Sequence, residues 1–187
     1  MKLTVTIRNA ETPLPPDRVL AEAAARGVEV AVRRHLRRKN SSSSRREGFP
    51  KSNYWADAAE TVSVASVSGS HATVEVAKEG AALHYHGGVV LPKKKALAIP
   101  LDPAVAAIWP SEHAGYATGG SGDDGATAPI WPKGSNHGFI KDTETGDLLW
   151  LLVPKATIHA DPSVLPEEGE MRQAAEDAML DCVEGAR

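Results

Sequence analysis

Between residues 17 and 39 apolar side chains return at three- and four-residue steps: Val19, Leu20, Ala23, Ala24, Gly27, Val28, Ala31, Val32, His35 and Leu36. That period gathers them into one stripe of a helix, and a helix with a single apolar stripe must bury it against another element. Asp17 stands where an N-cap belongs, after the Pro-rich stretch 11–16. A glycine inside such a helix costs about 1 kcal/mol against alanine, so Gly27 predicts close packing on a sheet or a second helix.

The partner layer is written in period two. Leu3, Val5 and Ile7 alternate with polar residues over 2–8. Thr61 to Val67 and His71 to Val76 alternate on either side of Ser68-Gly69-Ser70, a hairpin by period and turn chemistry. Further strands are expected at Val89 to Leu91 and Lys95 to Leu101, and a second hairpin joins Phe139–Asp142 to Leu148–Val153 through Glu144-Thr145-Gly146-Asp147. Ser52-Asn53 caps a short helix, Tyr54 to Glu60, that packs through Tyr54, Trp55, Ala58 and Ala59. A closing helix, Glu167 to Val183, carries Met171, Ala174, Ala175, Ala178, Met179 and Cys182 on one face. The elements predict an α+β fold: an antiparallel β-sheet packed by a long N-terminal helix and a C-terminal helix, with a long Gly-rich loop or arm.

The 187 residues suit a single domain over 1–187. A chain of this size buries roughly 70% of its unfolded surface and needs no disulfide; it has one cysteine, Cys182, read as a buried small apolar side chain. Two segments are expected to be flexible, about 40–52, Ser-rich and basic, and about 112–136, rich in glycine. The N-terminus lacks the apolar core of a signal peptide, and no run reaches the ~20 apolar residues of a membrane span. A soluble protein with no membrane partner is expected. Trp55, Trp109, Trp131 and Trp150 are read as core or interface anchors.

The net charge is −3, but the charges are segregated. Arg33, Arg34, Arg37, Arg38, Lys39, Arg45, Arg46 and Lys51 form a basic block, while acids gather between Asp161 and Glu184. Arg33, Arg34, Arg37 and Arg38 pair at four-residue spacing into two adjacent rows on the helix. Cations also stabilise a helix C-terminus in themselves. The block therefore reads either as a plain solvated face or as a surface for a partner or DNA. Lys93, Lys94 and Lys95 read either as phosphate contacts or as guards of a strand edge.

His84 and His86 alternate on what reads as a strand, so both imidazoles could face one zinc ion, yet no further ligands stand at a helpful spacing. They are weak metal candidates, and no metal is expected. Gly87-Gly88 lacks the following helix of a phosphate-binding loop and reads as a bulge or tight approach after the strand. No G-x-S-x-G nucleophile motif is present, and Asp123-Asp124 lie in a Gly-rich loop unsuited to holding a catalytic geometry. No catalytic residue and no cofactor are expected.

Several motifs follow one another in a recognisable order. His35-Leu36-Arg37-Arg38-Lys39-Asn40 ends the helix, Asn53 to Ala59 reads N-Y-W-A-D-A-A, and two alternating strands follow. Then come H-x-H-G-G-x-V-x-P-K from His84, A-L-A-I-P to Pro100, and D-P-S-V-L-P within Leu152 to Pro166. Over about 17–183 this resembles the virion morphogenesis proteins of tailed phages, the Mu-like family related to tail-completion and head–tail junction proteins. The resemblance implies a prophage-encoded, non-enzymatic assembly protein of the virion, present in the bacterial host cytoplasm during assembly. Its partners would be portal, neck or tail-tube subunits and further copies of itself, with packaged DNA as an added contact. Gly87, Gly88, Pro92, Ala96, Leu97, Ala98, Ile99, Pro100, Asp161 and Pro162 would be its structural motif residues. The alternatives are a nucleic-acid-binding module using the arginine block and a metal-dependent hydrolase built on His84 and His86.

Overall fold

A computed structural model describes residues 1–6, 15–43, 46–112 and 127–185. The chain is α+β with antiparallel sheets, and the domain divides into two compact units. Unit 1 comprises Met1–Ser43, Ser52–Gly87 and His159–Arg187, and unit 2 comprises Ser44–Lys51 and Gly88–Ile158.

Unit 1 is built on helix α1, Asp17–Ser42. Leu20, Ala24, Val28, Ala31, Val32 and Leu36 of the expected stripe are buried, and the stripe widens through Ala21 and Ala25. Val19 stays outside, 44% exposed. Asp17 is the first helical residue rather than the N-cap, because the extended Pro16 precedes it and its carbonyl accepts from Val19 and Leu20 N–H. A carboxylate in the first turn still favours the helix dipole. At the other end α1 runs to Ser42, beyond the expected stop near 39. Ser41, Ser42 and Ser43 donate their hydroxyls back to the carbonyls of Arg37, Lys39 and Asn40. The Lys39 carbonyl also accepts from Ser43 N–H, while the Asn40 carbonyl belongs to the last turn, where no further helical N–H follows. Residues 40–42 of the expected flexible segment are therefore helical, and Arg45 lies outside the described residues.

The sheet of unit 1 has strands β1 (Lys2–Thr6), β2 (Val62–Ser68) and β3 (His71–Val76), in the order β1-β3-β2. Leu3 pairs with Val74 and Val5 with Ala72, which sets the alternating face onto the core. Ile7 and Arg8 lie outside the described residues. The β2 alternation is not strict. The register slips between Val64 and Ser66, leaving Ala65 as the extra residue, and Val67 thereby returns to the core side with Val62 and Val64. Helix α2 spans Tyr54–Glu60 as expected, with Ala58 and Ala59 buried and Ser52 Oγ accepting from Tyr54 N–H.

Helix α3, Ala81–His86, occupies the place expected to be a strand. Gly80 and Gly87 bracket it, both with positive φ (82° and 73°), a conformation that favours glycine. Gly87 is thus a helix terminator rather than a bulge after a strand. Helix α4, Glu168–Gly185, closes unit 1 and lies against α1. Ala175 is buried, Met171 and Met179 pack on the core, and Cys182 is half-buried.

Unit 2 contains strands β4 (Gly88–Val90), β5 (Leu97–Pro100), β6 (Thr127–Ile130), β7 (Gly138–Asp142), β8 (Leu148–Val153) and β9 (Ala156–Ile158). They form a two-stranded β4-β9 ladder and a four-stranded sheet in the order β5-β8-β7-β6. β6 falls inside the segment expected to be a Gly-rich loop over 112–136; its Pro129 is tolerated because β6 is an edge strand. Residues 113–126 of that segment, with His113 and Asp123-Asp124, lie outside the described residues. The fourth expected strand is shorter than Lys95–Leu101, starting at Leu97 after a bend that holds Lys93, Lys94 and Lys95.

The β8 segment Leu148-Leu149-Trp150-Leu151-Leu152-Val153 is apolar throughout, and the structure resolves that run with a bulge. Lys141 pairs with Leu148 while Ile140 pairs with Trp150, so neighbouring Leu149 and Trp150 both enter the core. Trp150 and Ile140 are each 1% exposed and Val105 completes the cluster from a 3-10 turn, Pro103–Val105, capped by Asp102. Of the other tryptophans, Trp55 packs partly on the unit 1 core, whereas Trp109 and Trp131 are exposed.

Gly27 fulfils the sequence expectation closely. A Cβ there would overlap the Ala174 carbonyl oxygen and stand 2.9 Å from the Ala178 Cβ. Gly27→Ala should therefore destabilise the protein by about 1–3 kcal/mol, because overpacking outweighs the ~1 kcal/mol gain in helix propensity. Denaturant unfolding measures it, and a stabilised variant would contradict the close crossing.

Candidate functional site

The basic half of α1 is mostly paired within unit 1. Arg33 Nη2 donates to Glu29 Oε1 and to the Val62 carbonyl, both at 2.7 Å, and Arg26 holds the other oxygen of Glu29 at 3.1 Å. Glu29 is only 5% exposed, so two guanidinium groups flank a buried carboxylate. Arg37 bridges to Glu60 of α2 at 2.8 Å and Arg38 to Glu170 of α4 at 2.6 Å. Arg37 with its hydrogen bond and charge draws the Glu60 carboxyl below its usual pKa.

Lys39 is the hub of this half. Its Nζ reaches Asp161 Oδ2 and Ser163 Oγ, both at 2.8 Å, and lies 5.6 Å from the centre of the Trp55 ring. Asp161 Oδ1 accepts from Ser163 Oγ at 2.6 Å and from Ser163 N–H at 3.1 Å, capping the 3-10 turn Pro162–Val164. Hydrogen bonds from Lys39 and then Ser163 hold the Asp161 carboxyl below the ordinary aspartate range. His35 Nε2 contacts the Ser163 carbonyl at 2.8 Å.

His84 and His86 take different surroundings. On a helix, positions i and i+2 differ by about 200° around the axis, whereas a strand would have aimed both rings the same way. The His84 ring packs 5.2 Å from both Tyr54 and Trp55, while His86 meets Tyr85 edge-on at 4.8 Å. Among the described residues no three His, Cys, Asp or Glu side chains gather as a metal-binding group. Tyr54 donates its hydroxyl to the Glu79 carbonyl at 2.7 Å and Lys78 lies over its ring. Burial, and then the Glu79 charge, push the Tyr54 phenol above its usual pKa.

Arg34 is exposed and makes no hydrogen bond or ion pair with described residues. With Val30, Arg37, Arg38, Ser41 and Ser42 it lines an open groove of about 850 Å³ along α1. Arg46 stacks on Phe49, 4.7 Å from its ring centre, in unit 2. Lys93, Lys94 and Lys95 are exposed in the bend before β5.

The residues of the two late motifs pair with each other. In unit 1 Asp161 N–H donates to the His84 carbonyl at 2.9 Å. In unit 2 Gly88 faces Ile158, Val90 faces Ala156, Leu97 faces Val153 and Pro100 faces Trp150. Two of the four points where the chain passes between the units, Gly87 to Gly88 and Ile158 to His159, adjoin this paired stretch. Ala96 and Ala98 pack on the unit 2 core, and Pro92 and Ile99 lie outside it. Sequence reasoning missed Glu29, Glu60 and Glu170 as partners; the only local signal was Glu29 standing three and four residues from Arg26 and Arg33.

Comparison of the chain with family models, with curated proteins and with solved structures returns no match. Among the described residues no helix is long and apolar enough to cross a membrane.

Asp161 gives a test of the hub. Its depressed folded pKa means that its stabilising contribution is complete at neutral pH. The contribution fades as pH falls past the unfolded aspartate value near ~3.9 and is gone below the folded one. Asp161→Asn keeps a capping side chain but removes the charge. Urea unfolding should find it less stable than wild type by about 0.5–1 kcal/mol at pH 7, with the difference closing at strongly acid pH. A gap that stays constant with pH would contradict the Lys39 pairing.

Proposed function

We propose that this protein is a non-enzymatic assembly component of a tailed-phage or prophage virion, acting in tail completion or head–tail joining. The observation that carries the reading is the mutual pairing of the two motif stretches from His84 and Asp161 to Pro100 and Trp150. Residues that carry the family resemblance are engaged in ladders, caps and chain crossings, which is what a scaffold for protein–protein contacts requires. Portal, neck or tail-tube subunits and further copies of the chain are the partners this reading names. The virion is its destination, and the host cytoplasm is where it would be assembled.

The nucleic-acid alternative loses support from the internal ion pairs. Arg33, Arg37, Arg38 and Lys39 each hold an acid of unit 1, leaving Arg34 as the free cation of the helix rows among the described residues. The hydrolase alternative loses the shared strand face that would aim His84 and His86 at one ion.

Deleting the gene from its prophage and inducing the lysogen tests the reading. Unjoined heads and tails in electron micrographs, restored by complementation, are expected. Normal infectious particles would overturn it. Charge reversal at Arg34 and Arg46, which spares the internal ion pairs, should leave joining intact unless these cations meet DNA or a neighbour. A purified protein whose DNA affinity falls steeply with salt would favour the nucleic-acid reading instead.

A further inference from the structure

The four-stranded sheet of unit 2 has a second apolar face that its own core does not use. Ile99 pairs with Leu151, Leu151 with Phe139, and Phe139 with Ile130, so one cross-strand row spans all four strands. The two-residue period adds Leu97 and Val153 at one end of this face and Leu148 with Lys141 at the other. None of these side chains belongs to the Trp150 core or is packed on it. Ile99, Ile130 and Leu148 are 39%, 36% and 44% exposed.

The strand residues of this face include no acid. Lys141 lies on it, and Lys95 and Lys155 stand two residues beyond the Leu97–Val153 pair. It is an apolar surface with lysines at both ends, and Glu144 and Asp147 stand exposed in the turn beyond the Lys141–Leu148 pair.

α4 presents the complement. Leu180, 60% exposed, has Glu176 and Asp177 one turn before it and Asp181 and Glu184 after it, all exposed. Glu176, Asp181 and Glu184 have no hydrogen-bond or ion-pair partner among the described residues, and Asp177 accepts only from Gln173. Glu184, in the last turn of α4, opposes the helix dipole, at about 0.3–1 kcal/mol.

We propose that the outer sheet face of unit 2 docks the Leu180 face of α4 from a second copy of this chain. The contact joins two different surfaces, so it repeats head to tail and closes into a ring when the rotation per subunit allows. The proposal rests on the assembly reading for its biological setting and names the surfaces that make the homo-oligomer. Four strands ~4.8 Å apart and about four residues of ~3.3 Å give roughly 250 Å² of sheet. That is well below the ~800 Å² per partner of a standard stable interface, so a single contact is weak and association depends on concentration.

Sedimentation velocity of the full chain, from low to high micromolar, tests it. The wild type should associate reversibly. Leu180→Ser on the helix and Leu148→Ser on the sheet should each move the association midpoint at least about tenfold higher. The charge reversals Asp181→Lys and Lys141→Glu should do the same. An equimolar mixture of a helix-face and a sheet-face variant keeps one intact pair of surfaces, and should yield dimers and nothing larger. A wild type that stays monomeric overturns the proposal, as do variants that associate like wild type or a mixture that forms no dimer. The gene-deletion phenotype is independent of these outcomes, so the docking surfaces and the assembly reading fail separately.

Discussion

The crossing of α1 and α4 at Gly27 sets the geometry on which the rest of unit 1 depends. With no side chain at Gly27, the α4 backbone at Ala174 approaches closer than any Cβ would permit. That approach brings Glu170 within reach of Arg38, one turn before Ala174 on α4. The turn leading into α4 carries Asp161 and Ser163, which Lys39 grips from the end of α1. A cation row that would repel itself along a helix is neutralised by acids delivered from α2, α4 and the turn between. Ser43 then closes the helix, its N–H on the Lys39 carbonyl and its hydroxyl on the Asn40 carbonyl. Helix packing comes first and the charge pattern follows from it.

The same logic extends through the motif stretches. The chain leaves unit 1 at Gly87 and returns at His159, and the two strands at that passage run antiparallel to one another. Gly87 ends α3 in a positive-φ conformation, and Gly88 immediately begins β4. A glycine pair that invites a phosphate-site reading from sequence is explained by two successive changes of backbone direction. Asp161, at the other crossing, caps a turn, binds Lys39 and donates its own N–H to His84. One residue thereby ties the late motif to both the helix end and the histidine stretch.

Long periodic elements were legible in the sequence because many residues vote for one period. The α1 stripe, the α4 face and both hairpins are where the period places them. Short elements were legible only in part. Helix α2 stands where expected and β4 lies one residue before the expected Val89–Leu91. But β9 was missed, because its three residues exist by pairing with β4 across a long stretch of chain, which no local window reveals. His84 and His86 share a face only if the segment is extended, and Gly80 and Gly87 instead frame a single helical segment there. The bulges at Ala65 and Leu149 escaped because a slip in register is decided by the partner strand. The candidate cations were legible as a block, but their acids were distant in sequence: Glu60, Asp161 and Glu170 meet α1 only in the fold.

Which charges remain available after folding decides what the surface can recognise. Affinity for a nucleic acid grows with the number of phosphates neutralised, each contact adding about 0.9 to the salt slope on a duplex. A helix row in which four of five described cations already hold carboxylates would have to break those pairs to gain phosphates. Among the described residues, charges without internal partners are of both signs and on different elements; they include Arg34 on α1, Lys93, Lys94 and Lys95 before β5, and Glu176, Asp181 and Glu184 along α4. A uniform polyanion would use only one of those sets and be repelled by the other. Exposed apolar residues stand beside each set, Leu91 and Ile99 near the lysines of unit 2 and Leu180 among the acids of unit 1. An apolar patch edged by charge has the composition of a protein–protein contact, an apolar centre within a polar rim.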